Sequence, residues 1–196
     1  MKKLLSILCA AMLGVLLITG CSQNGNQDLQ NQTTGAPSQG EQETQAPKPA
    51  GTQEELTSVQ KDGKIVVWLG MTKDEVEKAL GKPDLNVSNM STYEGVDVYY
   101  KDGAAYKITI STKDYALSNK LAPEKKIKDA QNAYGDVLVR SQDMVEGAEW
   151  MGTVTYDEAF APVTTGNGSN AAYVVSIICN DMKTEVIDNI TIEKVK

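Results

Sequence analysis

The 196-residue chain contains no histidine. The side chain that most often acts as general base near neutral pH, and most often ligates a metal, is therefore missing from the outset. Ser-His-Asp and Cys-His arrangements go with it. Carboxylate, thiol and phenol remain. Asp74, Glu75 and Glu77 lie close together, but carboxylates in the first turns of a helix complement the macrodipole and need no further role. Asp157-Glu158 and the Glu146–Glu149 stretch could offer oxygens to calcium. Neither has the alternating-oxygen spacing of a dedicated calcium loop. Cys179 ends the apolar run Val174-Val175-Ser176-Ile177-Ile178, with no basic neighbour in sequence to stabilise a thiolate, and reads as a buried, inert thiol. Gly166-Asn167-Gly168 lacks the Lys-Ser/Thr of a phosphate-binding loop and reads as a loop tip. The expectation is a protein with no catalytic set, no metal and no cofactor. The residues left with a functional reading are aromatic. Eight tyrosines and two tryptophans stand against one phenylalanine, and a tyrosine ring gives contact area while keeping a polar tip. Tyr99, expected on the wet face of a hairpin, and Tyr93, Trp150 and Tyr156, expected in or near loops, form the candidate binding set.

The elements that must position these rings can be read in order. Gly70 to Pro83 carries a complete helix signature. Thr72 as N-cap and Glu75 three residues on make a capping box, and Met71 and Val76 are placed for the hydrophobic staple. Val76, Ala79 and Leu80 give a short apolar face, Gly81 closes the helix and Pro83 stops it. Before it, Lys64 to Leu69 is an apolar strand-like run opened by the turn signal Asp62-Gly63. After it comes a polar loop, then strand-like segments over Tyr93–Tyr100 and Ala105–Ser111 around Asp102-Gly103. Alternation places Val96, Val98 and Tyr100 on one face, with Asp97 and Tyr99 on the other. Tyr106, Ile108 and Ile110 should share a face, with Lys107 and Thr109 opposite. Pro123 to Gly135 reads as a second helix, and its Ala133-Tyr134-Gly135 follows Ala79-Leu80-Gly81 at an interval of 54 residues. Strand-like segments at 172–179 and 186–195 follow, with a further strand expected at Gly152–Tyr156.

The N-terminus adds location. Met1-Lys2-Lys3 precedes a mostly apolar run from Leu4 to Ile18, ending in Thr19-Gly20-Cys21. The run is short for a spanning helix. It resembles a bacterial lipoprotein signal with Ile18-Thr19-Gly20-Cys21 as the lipobox; an ordinary secretory signal or an N-terminal anchor is the competing reading. The resemblance implies cleavage before Cys21, diacylation of its sulfur, and anchoring to the cytoplasmic membrane's outer leaflet, or to an outer membrane where the cell has one. Two acyl chains give stable anchoring. Residues 21–60 are polar and low in bulky apolar side chains, the composition of a disordered tether. The net charge is −7, and loss of Lys2 and Lys3 with the signal takes it to about −9. With no basic run, the chain is a poor candidate for nucleic acid.

Gly70-Met71-Thr72, Glu75-Val76, Leu80-Gly81 and Pro83 together resemble the helix signature of the SmpA/OmlA (BamE-like) lipoprotein domain, and are similar to the repeat unit of β-lactamase-inhibitor-protein-like domains. The resemblance implies an α+β fold over residues 61–196. Two tandem helix-plus-antiparallel-hairpin units, about 61–118 and 119–196, would form one curved sheet with helices on one face. The expected function is a lipid-anchored, cell-surface, non-catalytic module that binds a protein or cell-wall partner, with a small-ligand or solute-binding lipoprotein as the alternative.

Overall fold

Asp-Gly pairs make two of the two-residue hairpin turns among the described residues. Asp62 and Gly63 take φ of 53° and 74°, and Asp102 and Gly103 take 53° and 82°. Positive φ at both central residues is what a two-residue hairpin loop requires. The first turn folds strand β1 (Ser58–Lys61) onto β2 (Lys64–Trp68), and the second folds β5 (Val96–Lys101) onto β6 (Ala104–Ile110). The structure, a computed structural model, describes residues 56–163 and 170–196. Cys21, the apolar leader, the polar segment through residue 55 and the glycine-rich tip at 166–168 lie outside the described residues.

Helix α1 (Lys73–Leu80) forms as its signature requires. The Thr72 amide donates to Glu75 Oε2 at 2.8 Å, and the Glu75 amide donates to Thr72 Oγ1 at 3.4 Å. Met71 and Val76 are both buried. Helix α2 (Ile127–Tyr134) ends at Gly135, 54 residues after Gly81, and buries Ile127 and Ala130. The segments leading into the two helices are tied down alike. Gly70 N donates to Ala105 O at 2.7 Å and Ala105 N to Met71 O at 2.8 Å; Glu124 N donates to Ile187 O and Ile187 N to Lys125 O, both at 2.8 Å.

The remaining strands are β3 (Leu85–Val87), β4 (Met90–Tyr93), β7 (Tyr115–Leu117), β8 (Val139–Arg140), β9 (Trp150–Tyr156), β10 (Tyr173–Cys179) and β11 (Asn189–Lys194). Eight strands form one antiparallel sheet in the order β3-β4-β5-β6-β11-β10-β9-β8, and β2-β1-β7 form a second sheet of three. The expected α+β arrangement of two helix-plus-hairpin units is therefore wrong. Among the described residues, eleven strands stand against two eight-residue helices, so the fold is mostly β. Each helix is followed by four strands of the large sheet, not by two, and a separate small sheet stands outside any such unit. The reason is physical. Strands β3, β4 and β8 are short, polar or at an edge, and such strands carry no alternation to announce them. Ordered pairing also starts earlier than the composition shift at residue 61: β1 is the central strand of the small sheet, and its Val59 is buried.

One face of the large sheet carries Val98, Ile108, Ile110, Val154, Ile177, Ile190 and Ile192, all fully buried. Val59 and Val67 of the small sheet, Val76 of α1 and Ala130 of α2 belong to the same hydrophobic cluster. The core thus lies on one side of the eight strands, and the alternate residues of those strands face the other way.

Candidate functional site

The outward face is built by that alternation. On β5, Asp97 and Tyr99 are half-buried between the buried Val96, Val98 and Tyr100. On β6, Lys107 and Thr109 alternate with Ile108 and Ile110; on β10, Val174, Ser176 and Ile178 alternate with Val175, Ile177 and Cys179. Strand β9 contributes Thr153 and Thr155. The register then aligns one row across six strands. Thr92 pairs with Asp97, Asp97 with Thr109, Thr109 with Thr191, Thr191 with Ser176, and Ser176 with Thr153. At the centre, where β6 meets β11, the Thr109 and Thr191 hydroxyls are 2.9 Å apart and share a hydrogen bond.

Beside this row stands a second, with Tyr99 opposite Lys107 and Lys107 opposite Glu193. Lys107 Nζ lies 5.4 Å from the Tyr99 ring centroid and 3.8 Å from Glu193 Oε2. Both charged side chains are about a third exposed (34% and 35%), so the pair is worth little in stability; its effect is to orient the ammonium over the ring. Partial burial raises the Tyr99 phenol above its ordinary value, helped by the Asp97 carboxylate and by Tyr106. Tyr106 was expected beside Ile108 and Ile110. The register shift opposite Tyr99 and Tyr100 breaks the alternation there, leaving Tyr106 half-buried near the Tyr99 phenol.

Of the four aromatic residues singled out from sequence, this face holds Tyr99. Tyr93, Trp150 and Tyr156 lie within strands β4 and β9, not in loops, and are 5%, 6% and 4% exposed. They belong to the hydrophobic core, so their rings are not presented to a partner. Burial pushes the Tyr93 and Tyr156 phenols up to about 12. The Tyr93 and Tyr100 hydroxyls are buried near Ser91, and neither reaches hydrogen-bonding geometry with a partner. The residues that sequence reasoning left out of the set, Asp97, Tyr106, Lys107, Thr109, Thr191 and Glu193, are joined by the β5–β6 and β6–β11 pairings. The hairpin alternation already marked Asp97, Lys107 and Thr109 as outward; nothing in the sequence marked the long-range pairing that adds Thr191 and Glu193.

The carboxylates elsewhere hold the backbone. Glu75 is held below the usual carboxylate range by its hydrogen bonds from Thr72. Glu149 Oε2 accepts from the Met182 amide at 2.8 Å, and Asp157 Oδ1 accepts from the Ala159 and Ala161 amides at 2.9 Å. No cluster of three acidic or thiol side chains able to hold a metal occurs among the described residues. Cys179 is fully buried, its Sγ donates to Asp181 O at 3.3 Å, and burial pushes its thiol up. Open depressions occur among the described residues. One of about 510 Å³ lies along Gln60, Asp62, Lys113, Asp114 and Lys120, and one of about 300 Å³ lies along Asn119, Lys125 and Asp129.

No protein-family model matches the chain, and no curated protein does. Among solved structures, the chain is similar to a DUF4309 family protein (YjgB) from Bacillus subtilis subsp. subtilis str. 168, at 16% identity. The likeness covers 63% of this chain and 78% of that one with a TM-score of 0.41, which is too loose to carry an inference about fold or function.

Proposed function

We propose that the chain is a lipid-anchored, cell-surface, non-catalytic binding module that recognises a protein or envelope component through the outward face of its large sheet. The observation that carries this reading is the registered polar row from Thr92 to Thr153 with the Tyr99–Lys107–Glu193 group beside it. A face of small hydroxyls edged by half-exposed rings has the amphipathic composition that suits recognition. The anchoring rests on the Ile18-Thr19-Gly20-Cys21 motif. The absence of catalysis rests on the missing histidine and on the carboxylates being spent on caps and turns. A small-ligand role would call for an enclosed site, and the two depressions are open.

Two measurements test the reading. Cys21→Ser should abolish incorporation of labelled fatty acid and block cleavage before residue 21; undiminished incorporation would refute the anchor. The full-length chain in detergent should co-sediment with cell walls extracted free of membrane, and Tyr99→Ala combined with Tyr106→Ala should weaken that at least tenfold. Equal sedimentation of the double variant would refute the surface.

A further inference from the structure

We propose that the outward face takes an uncharged polysaccharide strand lying across the β-strands, along the row from Thr92 to Thr153. This rests on the binding reading above and names its ligand class. Adjacent strands stand about 4.8 Å apart, so the six registered residues make a track roughly 24 Å long. Each residue of the track carries a short hydrogen-bonding side chain: Thr92, Asp97, Thr109, Ser176 and Thr153 are half-buried, Thr191 is buried and bonded to Thr109, and the Thr153 hydroxyl donates to Val139 O while keeping its acceptor side. Threonine, serine and aspartate are all short, and the row follows the twist of the sheet. Hydroxyls both donate and accept, so they match a ligand whose own edge is lined by hydroxyls.

Charge decides against the other occupants. A polyanion needs unpaired cations. The lysine beside the track, Lys107, is already shared between Glu193 and the Tyr99 ring, and Asp97 in the track would repel such a ligand. A protein interface of ordinary strength is anchored by a buried apolar centre, and the centre of this face is the hydrogen-bonded Thr109–Thr191 pair. A neutral sugar chain meets all three features. Its hydroxyl edges meet the threonines and donate to the Asp97 carboxylate, and its apolar ring faces meet Tyr99 and Tyr106.

The test uses the full-length chain in detergent, sedimented with three probes: microcrystalline cellulose, chitin and immobilised polyglutamate. At least one neutral polysaccharide should retain it, and polyglutamate should not. Thr92→Val combined with Ser176→Ala removes two hydroxyls while keeping strand-compatible shapes and sparing the Thr109–Thr191 bond. It should lower the retained fraction at least fivefold without changing the melting temperature. Should that pair unfold the protein, Thr153→Val alone should lower retention about twofold. Retention by no neutral polysaccharide, or equal retention of the hydroxyl variants, overturns the proposal. If the chain then still binds the extracted cell walls through Tyr99 and Tyr106, the docking face stands and only the ligand class falls. If those variants also bind the cell walls like the wild type, the face falls as well.

Discussion

Replacing Gly152 with alanine should destabilise the protein, and the sign of the effect is the informative part. Gly152 lies in β9, opposite Ile177, and its φ is outside the left-handed region. An alanine there is free of backbone strain. By itself it would stabilise the fold by about 0.4–1 kcal/mol, through the reduced freedom of the unfolded chain. The packing acts against this. A Cβ at residue 152 would lie 2.5 Å from Trp150 Cη2, 3.0 Å from Trp150 Cζ2 and 2.9 Å from Leu138 Cδ1. The Leu138 methyl can rotate away. The indole cannot, because it is rigid and buried in the core cluster with Val154 and Tyr156. Overpacking of this kind costs about 1–3 kcal/mol. The net loss is roughly 0–2.6 kcal/mol, centred near 1.3 kcal/mol, equivalent to a fall in melting temperature of about 5 °C for a domain of this size. Thermal unfolding followed by circular dichroism reads it directly. A double-mutant cycle with Trp150→Leu isolates the cause, since without the indole the alanine's cost should vanish or reverse. A raised melting temperature for Gly152→Ala, or a cost unaltered by Trp150→Leu, would refute the placement of the Trp150 ring over this glycine.

Two further outcomes follow from the same structure. Thr72→Ala removes the N-cap of α1 and should cost about 1 kcal/mol at pH 7, read as a lower urea midpoint. Because Glu75 is held below its unfolded pKa by Thr72, the capping box contributes above pH about 4.3 and is lost as pH falls through the lowered folded value; the gap between wild type and Glu75→Gln should therefore shrink as pH falls below that range. At the alkaline end the sign is opposite to the usual acid case. Tyr93 and Tyr156 hold their protons to about pH 12 when folded, whereas the unfolded chain releases them near pH 10. Their contribution is intact below pH 10 and is lost as pH rises toward 12. Urea midpoints should fall between pH 10 and 12, and tyrosinate absorbance should appear together with unfolding; a midpoint flat across that range would contradict the burial of these rings.

The parts of the fold legible in the sequence are those encoded locally. The Thr72–Glu75 box, the stop at Gly81, the second stop at Gly135 and the Asp102-Gly103 turn are each set by residues within a few positions of one another, and each stands where the residues put it. Strands with an apolar alternation, such as Val96–Lys101, were legible too. The architecture was not. Strand β3 has all three residues exposed and pairs along one side, so its sequence Leu85-Asn86-Val87 resembles a loop. The join of β6 to β11 brings together residues 82 positions apart, with no local signal for it. The candidate site was half legible for the same reason. Tyr99 follows from its hairpin alone. Trp150 and Tyr156 were misplaced because the strand holding them, expected from Gly152, begins at Trp150, and both rings turn to the inner face.

The central claim is that recognition occurs on the outward face of the eight-stranded sheet. A photo-reactive amino acid introduced into the full-length chain in intact cells tests it most directly, one position at a time. At Thr109 or Thr153, on the polar track, irradiation should yield a discrete cross-linked adduct with envelope material. At Lys64, exposed on the edge strand of the small sheet, it should yield none. Adducts from Lys64 and none from Thr109 or Thr153 would contradict the account.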